Sequence, residues 1–511
     1  MPSPMIRSRI RATTRARIRT TSRCSGGAAL LLALLVSSGC AEPEILLGHG
    51  AHYDRAVAVD MPSRVTNRLD LLFVVDNTTG MKAKQDDLAV SFRRLMNRLE
   101  FVDDPTSDQL LDVQVGVIST DLGVGPEHAV NGCTALGDGG ALRGDGILQV
   151  QVGNGNPAHL LGLDDDLPGD GFPASLHDRG DLLAGDGDPA RIDDAIQSAF
   201  ASMAALGTGG CRFEQPLAAM RAAIERSDAE DLQLVRPDAA LAIVFLSNED
   251  DCSIADDDFF RPDLDRLGQA DKFRCFQYGV HCTGDDVWPV GGTLDACGPR
   301  EDSPYVASVG GFVDYLRARK DPEKLVVAGI IGDSDTVEIR QTTGEGLEVV
   351  SQQCDGVTES RPAIRLQGFV DAFGDNGTVA PLCGETAFGA LDATAHQLRK
   401  TLGTSCLDGD IADIDPDRPG RQALCFVSMT RADGRKRDIP RCNSPSFDLE
   451  RATNAPCHII GAGYEGCGDF QSQLALKVWW GHDSSGRPLP APEDARIVAE
   501  CLVEPDESAL Q

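Results

Sequence analysis

Three stretches of this chain are apolar enough, and short enough, to be strands buried on both faces. The first lies within Leu69 to Lys82, LDLLFVVDNTTGMK, which stays largely apolar to Val75, stops at Asp76 and passes through Asn-Thr-Thr-Gly toward a helix. Ala239 to Leu246 (AALAIVFL) repeats the device and ends in Ser247-Asn248-Glu249-Asp250-Asp251-Cys252; Lys324 to Ile331 is the third. In an open α/β sheet, ligands bind beyond the carboxyl ends of parallel strands, so Asp76 stands where a site is expected.

Helical spacing fills the intervals. Leu88, Phe92, Leu95, Met96 and Leu99 share one face, and Asp188-Pro189 opens a helix carrying Ile192, Ile196, Phe200 and Met203. Phe213, Leu217, Met220 and Ile224 mark another, and Ser303-Pro304 is read as the cap of a helix with Tyr305, Val309, Phe312 and Leu316. Two more are centred on Leu366 and Phe369, and on Leu391 and Leu398, with a short segment near Val379 to Cys383 between them. Val113, Val115 and Val117 alternate with Gln114 and Gly116, which predicts a strand at a sheet edge.

Strands alternating with helices predict an α/β fold, a doubly wound, mostly parallel, Rossmann-like sheet over residues 68–403. Gly-, Asp- and Pro-rich stretches near 122–187, 252–303 and 332–360 read as long insertions. From 404 to 511 the pattern changes to short β-like runs with six cysteines, a small disulfide-rich β module at the C-terminus. In its run from Gln473 to Trp480, Trp480 shares a face with Leu474, Leu476 and Val478 and is expected in the core. Trp479 points the other way and is expected to be exposed to a partner.

Residues 1–39 carry seven arginines from Arg7 to Arg23, no acidic residue, and then an apolar run from Ala28 to Val36 too short to span a bilayer. This predicts a secretory signal, followed by an aperiodic tether over 40–67. With 79 acidic and 47 basic residues the chain has a net charge of −32, and losing those arginines makes the rest more acidic still. Such a balance repels nucleic acid and favours cationic partners or divalent ions.

Of the 16 cysteines, Cys24 falls in the signal and Cys40 at its end; the other 14 divide eight and six between the two folded parts. Seven bridges that do not cross between the parts are expected, in an exported, oxidising compartment. No CxxC pair suggests zinc.

Val36-Ser37-Ser38-Gly39-Cys40 resembles the lipobox of bacterial lipoproteins, which implies lipid attachment at Cys40. The strand ending in VVDNTTGM, the segment GTGGCRFEQPL, the strand ending in FLSNEDDC and the cysteine-rich tail together resemble exported von Willebrand factor A (VWA) domain lipoproteins. That resemblance implies a metal-ion-dependent adhesion site, D-x-S-x-S with a threonine from a second loop and an aspartate after a later strand, holding Mg²⁺ through oxygen ligands. Asp76 matches the aspartate and Thr78 the first serine; Thr208 stands for the threonine; Asn248 replaces the later aspartate and Gly80 the second serine. The site is therefore degenerate, with Thr79, Glu249 and Asp250 as possible compensating oxygens. Changing Gly80→Ser and Asn248→Asp is expected to restore ion binding.

The cluster from Asp408 to Asp417 is a second, Ca²⁺-type candidate, but it lacks the glycine and final glutamate of an EF-hand loop. No GxSxG, P-loop or HExxH motif carries nucleophilic, nucleotide or zinc chemistry. The expectation is a non-enzymatic binding or adhesion protein, lipid-anchored in the bacterial envelope, meeting a protein or envelope component through an acidic side chain of that partner. The competing readings are a metal-independent envelope scaffold acting through the insertions and the C-terminal module, and, more remotely, an exported hydrolase.

Overall fold

The computed structural model describes residues 56–503, apart from 63–65, 100–110, 126–131, 145, 154–155, 161–188, 262–266, 268–271, 284–287, 289, 342–345, 351, 355–357, 384–386, 404, 418–419, 445–451, 463–466, 468–469, 488, 490 and 493–494. The signal, Cys40 and the first part of the tether lie outside the described residues.

The chain opens with β1 (Ala56–Pro62), β2 (Arg68–Val75), α1 (Lys82–Leu99), β3 (Leu111–Ser119), β4 (Leu148–Gly153) and β5 (Asn156–Leu160). Helices α2 (Pro189–Ala204) and α3 (Pro216–Glu230) precede β6 (Ala240–Leu246). A cap segment follows, with α4 (Lys272–Gly279), β7 (Val280–His281), β8 (Thr293–Leu294) and β9 (Gly298–Pro299). Then come α5 (Val309–Arg319), β10 (Leu325–Ile331), four short strands β11 (Val337–Gln341), β12 (Leu347–Val349), β13 (Gln352–Cys354) and β14 (Thr358–Ser360), α6 (Ile364–Asp371), β15 (Gly377–Pro381) and α7 (Ala387–Leu402).

The central sheet has the order β15-β10-β6-β2-β3-β4-β5. Its first five strands are parallel, and β4 and β5 add antiparallel. Every residue of β6 and β10 is buried, as strands covered on both sides require. One face packs on α1, α2 and α7, where Phe92 and Phe200 stack at 3.8 Å; the other packs on α3, α5 and α6. Helices on both faces make the sheet doubly wound.

Several expectations change. β3 is no edge strand: β4, from the stretch read as insertion, pairs with it, and Gln114 is buried. Of the positions that suggested an edge, Gly116 has a local reason. A Cβ on Gly116 would lie 2.9 Å from Leu142 and Leu234, so those side chains fill the missing one's place. Helix α5 is capped not at Ser303 but at Ser308, whose hydroxyl accepts from the Gly311 amide at 3.2 Å.

The end of the tether is also ordered. β1 pairs antiparallel with β21 (Ala495–Leu502), over 400 residues later, in a sheet of order β1-β21-β17-β18, where β17 is Cys425–Arg431 and β18 Lys436–Asp438. A second sheet, β16-β20-β19, joins β16 (Cys406–Leu407), β20 (Leu474–Trp479) and β19 (Cys457–Ala462). Leu407, Val427, Leu474, Leu476 and Ile497 from both sheets share one core, with Trp480 packed against it. Trp479 is not exposed: it packs with Cys442, Cys457 and Ile459 in a second small cluster. Both faces of that strand are covered, which alternation alone cannot reveal.

Six bridges are described: Cys133–Cys211, Cys252–Cys275 and Cys282–Cys297 in the α/β part, and Cys406–Cys467, Cys425–Cys501 and Cys442–Cys457 in the β module. None of these crosses between the parts. Cys383 is disulfide-bonded as well.

Candidate functional site

β2 delivers Asp76 to the crevice where the chain, having crossed from β2 to β3 on one side, returns to β6 on the other. The Asp76 amide donates to the Leu246 carbonyl at 2.9 Å, continuing the ladder one residue past the strands. Its carboxylate is fully buried and accepts four hydrogen bonds. Oδ1 takes the Thr78 amide at 2.7 Å and the Thr78 hydroxyl at 2.6 Å. Oδ2 takes the Ser247 hydroxyl at 2.9 Å and the Asn248 amide at 3.3 Å. Burial raises its pKa, the Thr78 bonds pull it back and the charge on Glu249 pushes it up again.

The neighbouring loops are bound to this one. Gln85 Nε2 donates to the carbonyls of Asp76 and Gly207, both at 2.9 Å. The Gly210 amide donates to the Asn77 carbonyl at 2.8 Å, and a Cβ on Gly210 would come within 2.0 Å of Asn77 Oδ1. A larger residue at 210 would have to displace the Asn77 side chain. Asp121 accepts from the amides of Gly123 at 2.8 Å and Cys211 at 3.0 Å, beside the Cys133–Cys211 bridge.

Glu214, which sequence reasoning passed over, is buried in this neighbourhood. One carboxyl oxygen bonds the Thr120 hydroxyl; the other has no partner among the described protein atoms. Burial lifts its pKa well above the usual range, and the nearby charge of Asp76 adds to the shift. The available signal was an acid set between Phe213 and the helix-opening Pro216.

The acidic loop after β6 is spent on holding the insertions. Asn248 Nδ2 donates to the Glu359 carbonyl at 2.8 Å. Glu249 pairs with both Lys272 and Arg361, the latter at 3.1 Å. Asp250 accepts the first amides of α6, from Arg365 at 3.0 Å and Leu366 at 3.1 Å, serving the helix whose own N-cap, Ala363, cannot. Burial pushes Asp250 up to about 7 against those bonds. Asp251 meets Arg365 at 2.9 Å and accepts the Leu217 amide at 3.2 Å, capping α3.

No protein-family model matches the chain, and no curated protein does. Solved structures similar to it include the pilus adhesin SpaC of Lactobacillus rhamnosus GG in its open conformation, at a TM-score of 0.29 and 9% identity, covering 88% of this chain and 42% of that one. The pilus adhesin RrgA of Streptococcus pneumoniae has a TM-score of 0.28 and 10% identity, with 88% and 58% covered. A von Willebrand factor type A structure from Catenulispora acidiphila has 0.23 and 9%, with 90% and 67%. The chain spans less than two thirds of either adhesin's length. At such TM-scores the likeness carries no argument about function.

Of the residues that the sequence assigned to an ion, Asp76, Thr78 and Asn248 meet at the Asp76 carboxylate, and Thr208 and Thr79 are on exposed positions of the neighbouring loops. Mg²⁺ demands near-octahedral oxygen ligands. Asp76 accepts four internal hydrogen bonds, and the Asn248 side-chain nitrogen is turned to Glu359, which leaves its Oδ1 buried with no partner among the described protein atoms. Among the described residues no group of three His, Cys, Asp or Glu side chains is placed to hold a metal. Gly80 has φ +98°, so a serine there would be strained, and restoring the motif is not a matter of adding a hydroxyl. In the second candidate, Asp408 pairs with His396 at 3.1 Å and Lys400 at 3.5 Å, and Asp413 accepts the amides of Asp415 and Gln422. Side chains turned to those partners do not converge on a Ca²⁺ position.

Proposed function

We propose that this chain is an exported, non-enzymatic binding protein, lipid-anchored through Cys40, whose VWA-like domain meets a protein or envelope component at the carboxyl end of its sheet without a divalent ion. The observation that carries the ion-independent form is the Asp76 carboxylate, buried and holding four internal donors. It acts as a structural pin for the loops from β2 and β6. That Glu249 and Asp251 are ion-paired and Asp250 caps a helix supports a structural use of these three acids.

The disulfide-tied loops at Cys133–Cys211 and Cys252–Cys275 support the binding reading: they stiffen the rim of that end, where a preorganised surface loses less entropy on association. Capture of co-purifying envelope proteins with and without chelator tests it. The same partners should be recovered in both conditions. A partner set lost with chelator would restore the ion-dependent form, and recovery of no partner from intact envelopes would remove the binding role.

A further inference from the structure

The hairpin of β17 and β18 lies at the outer edge of its sheet, closed where the Arg431 amide donates to the Arg435 carbonyl at 3.0 Å and Gly434 adopts φ +77°. Arg431, Arg435, Lys436, Arg437 and, just beyond β18, Arg441 are all exposed. Asp433 is spent on the turn: it accepts the Arg435 amide at 3.0 Å and pairs with the guanidinium of the same residue at 3.0 Å.

The other four cations, Arg431, Lys436, Arg437 and Arg441, meet no carboxylate among the described residues, and the one further acid of the hairpin is Asp438. Elsewhere in this acidic chain exposed cations are commonly taken up by acids, as Lys82 is by Asp86, Arg221 by Glu225, Arg226 by Glu230 and, in this same sheet, Arg496 by Glu323. Arg431 is nearest to further acids, since Glu493 and Asp494 precede its pairing partner Ala495 in sequence; Lys436, Arg437 and Arg441 carry the rest of the excess. Charge on an edge strand deters edge-to-edge pairing, but that use needs only Lys436 and Arg437 and leaves Arg441 unexplained.

We propose that this hairpin docks on the anionic phosphate surface of the membrane to which the chain is anchored. The inference goes beyond the binding role and rests on the anchor proposed at Cys40 for the nearness of a membrane. Two features favour a lipid surface. Pairing of Lys436 with Thr430 and of Arg437 with Met429 sends the two cations to opposite faces of the edge strand, so both reach a continuous layer of charge met edge-on. The tether also enters this same sheet: the residues between Cys40 and Ala56 reach up to about 50 Å at roughly 3.3 Å each, against about 20 Å along β1 from Ala56 to Pro62, whose partner Arg496 pairs in turn with Thr430 beside the hairpin turn. At physiological salt, acids more than about 8 Å away are largely screened, so the chain's overall negative charge does not cancel the local excess. Docking fixes which way the β module faces, which a tether alone leaves free.

The test is sedimentation of the full exported chain carrying Cys40→Ser, and hence no acyl group, with vesicles of equal parts phosphatidylglycerol and phosphatidylcholine, against phosphatidylcholine alone. Binding to the anionic vesicles should be half complete at about millimolar lipid in about 0.1 M salt and vanish at about 1 M salt. Affinity of that order orients an anchored chain without retaining a free one through washing. Lys436→Gln with Arg437→Gln should weaken it roughly twenty-fivefold, about fivefold per cation, while Lys82→Gln, on α1, should not. All three positions are exposed, and unchanged melting temperatures verify the fold. Equal binding to both vesicles, no binding at about 10 mM anionic lipid, full affinity in the double variant, or equal weakening by Lys82→Gln would each overturn the proposal. So would retention on immobilised polyglutamate without vesicle binding, which would assign the hairpin to an acidic protein. Because the assayed chain carries no lipid, the hairpin can fail while fractionation of the acylated protein upholds the anchor, and the anchor can fail while the vesicles still bind.

Discussion

Asp251 and Arg365, 114 residues apart, form an ion pair at 2.9 Å with neither side chain exposed. Arg365 also donates to the carbonyls of Asp251, Gly279 and Ala307, while Asp251 holds the start of α3 and the Ser253 hydroxyl. One pair thus fastens the loop after β6, the cap segment, α3 and α6 together.

Arg365→Met should therefore leave a buried carboxylate without its counter-charge and destabilise the chain by about 3–5 kcal/mol. Chemical denaturation measures this, and a loss below about 1 kcal/mol would mean that water reaches Asp251.

Gly80→Ser with Asn248→Asp should lower the melting temperature without creating a Mg²⁺-dependent rise. The serine must adopt a positive φ, at a cost of about 1–2 kcal/mol, and the aspartate loses the bond to the Glu359 carbonyl. Thermal melts with and without Mg²⁺ decide. A clear ion-dependent stabilisation would show that the loop rearranges around the ion, since a bound ligand stabilises as RT ln(1 + [L]/Kd).

Acid should strengthen this fold over part of the pH range. Asp250 is pushed up to about 7 from an ordinary 3.8, so between those values the folded state binds more protons than the unfolded one. Stability then rises as pH falls from about 7 toward 4, by on the order of 1 kcal/mol per pH unit from this group. Asn at position 250 keeps an oxygen for the α6 amides but cannot titrate. Denaturant midpoints across pH 4.5 to 8 should be flatter in Asp250→Asn, and an unchanged slope would place the proton elsewhere.

Cys40→Ser should move the protein from membranes to the soluble exported fraction, because two or three acyl chains are needed for stable attachment. Fractionation with detergent-free washes reads this out, and membrane retention of the variant would argue for attachment by another route.

The strands at Leu71 to Val75, Ala240 to Leu246 and Leu325 to Ile331 were legible because a parallel strand covered on both faces must be apolar at nearly every position. Asp76 was legible for the same reason, as the point where that requirement ends. The fate of the acids after β6 was not legible. Glu249, Asp250 and Asp251 look alike in sequence, and what separates them is Lys272, Arg361 and Arg365, brought near only by the completed fold. Glu214 was overlooked because the resemblance directed attention to hydroxyl-bearing Thr208. β1 was hidden because its partner, β21, lies at the other end of the chain.

That pairing has a mechanical consequence. The module containing β21 takes its edge strand from the chain just before the α/β domain, so the domain sits in sequence between two pieces of one β sheet. Were the chain anchored at Cys40 as proposed, drag on a partner gripped by the α/β domain would run through β1 before reaching the tether. The ladder from Ala56↔Leu502 to Pro62↔Arg496 then bears the load, with β21 itself stapled to β17 by Cys425–Cys501. Because β1 is already extended, stripping it from that ladder would add little length, while the disulfides keep the rest of the module closed. The β1–β21 seam is thus the point at which the two ends of the chain are fastened to each other.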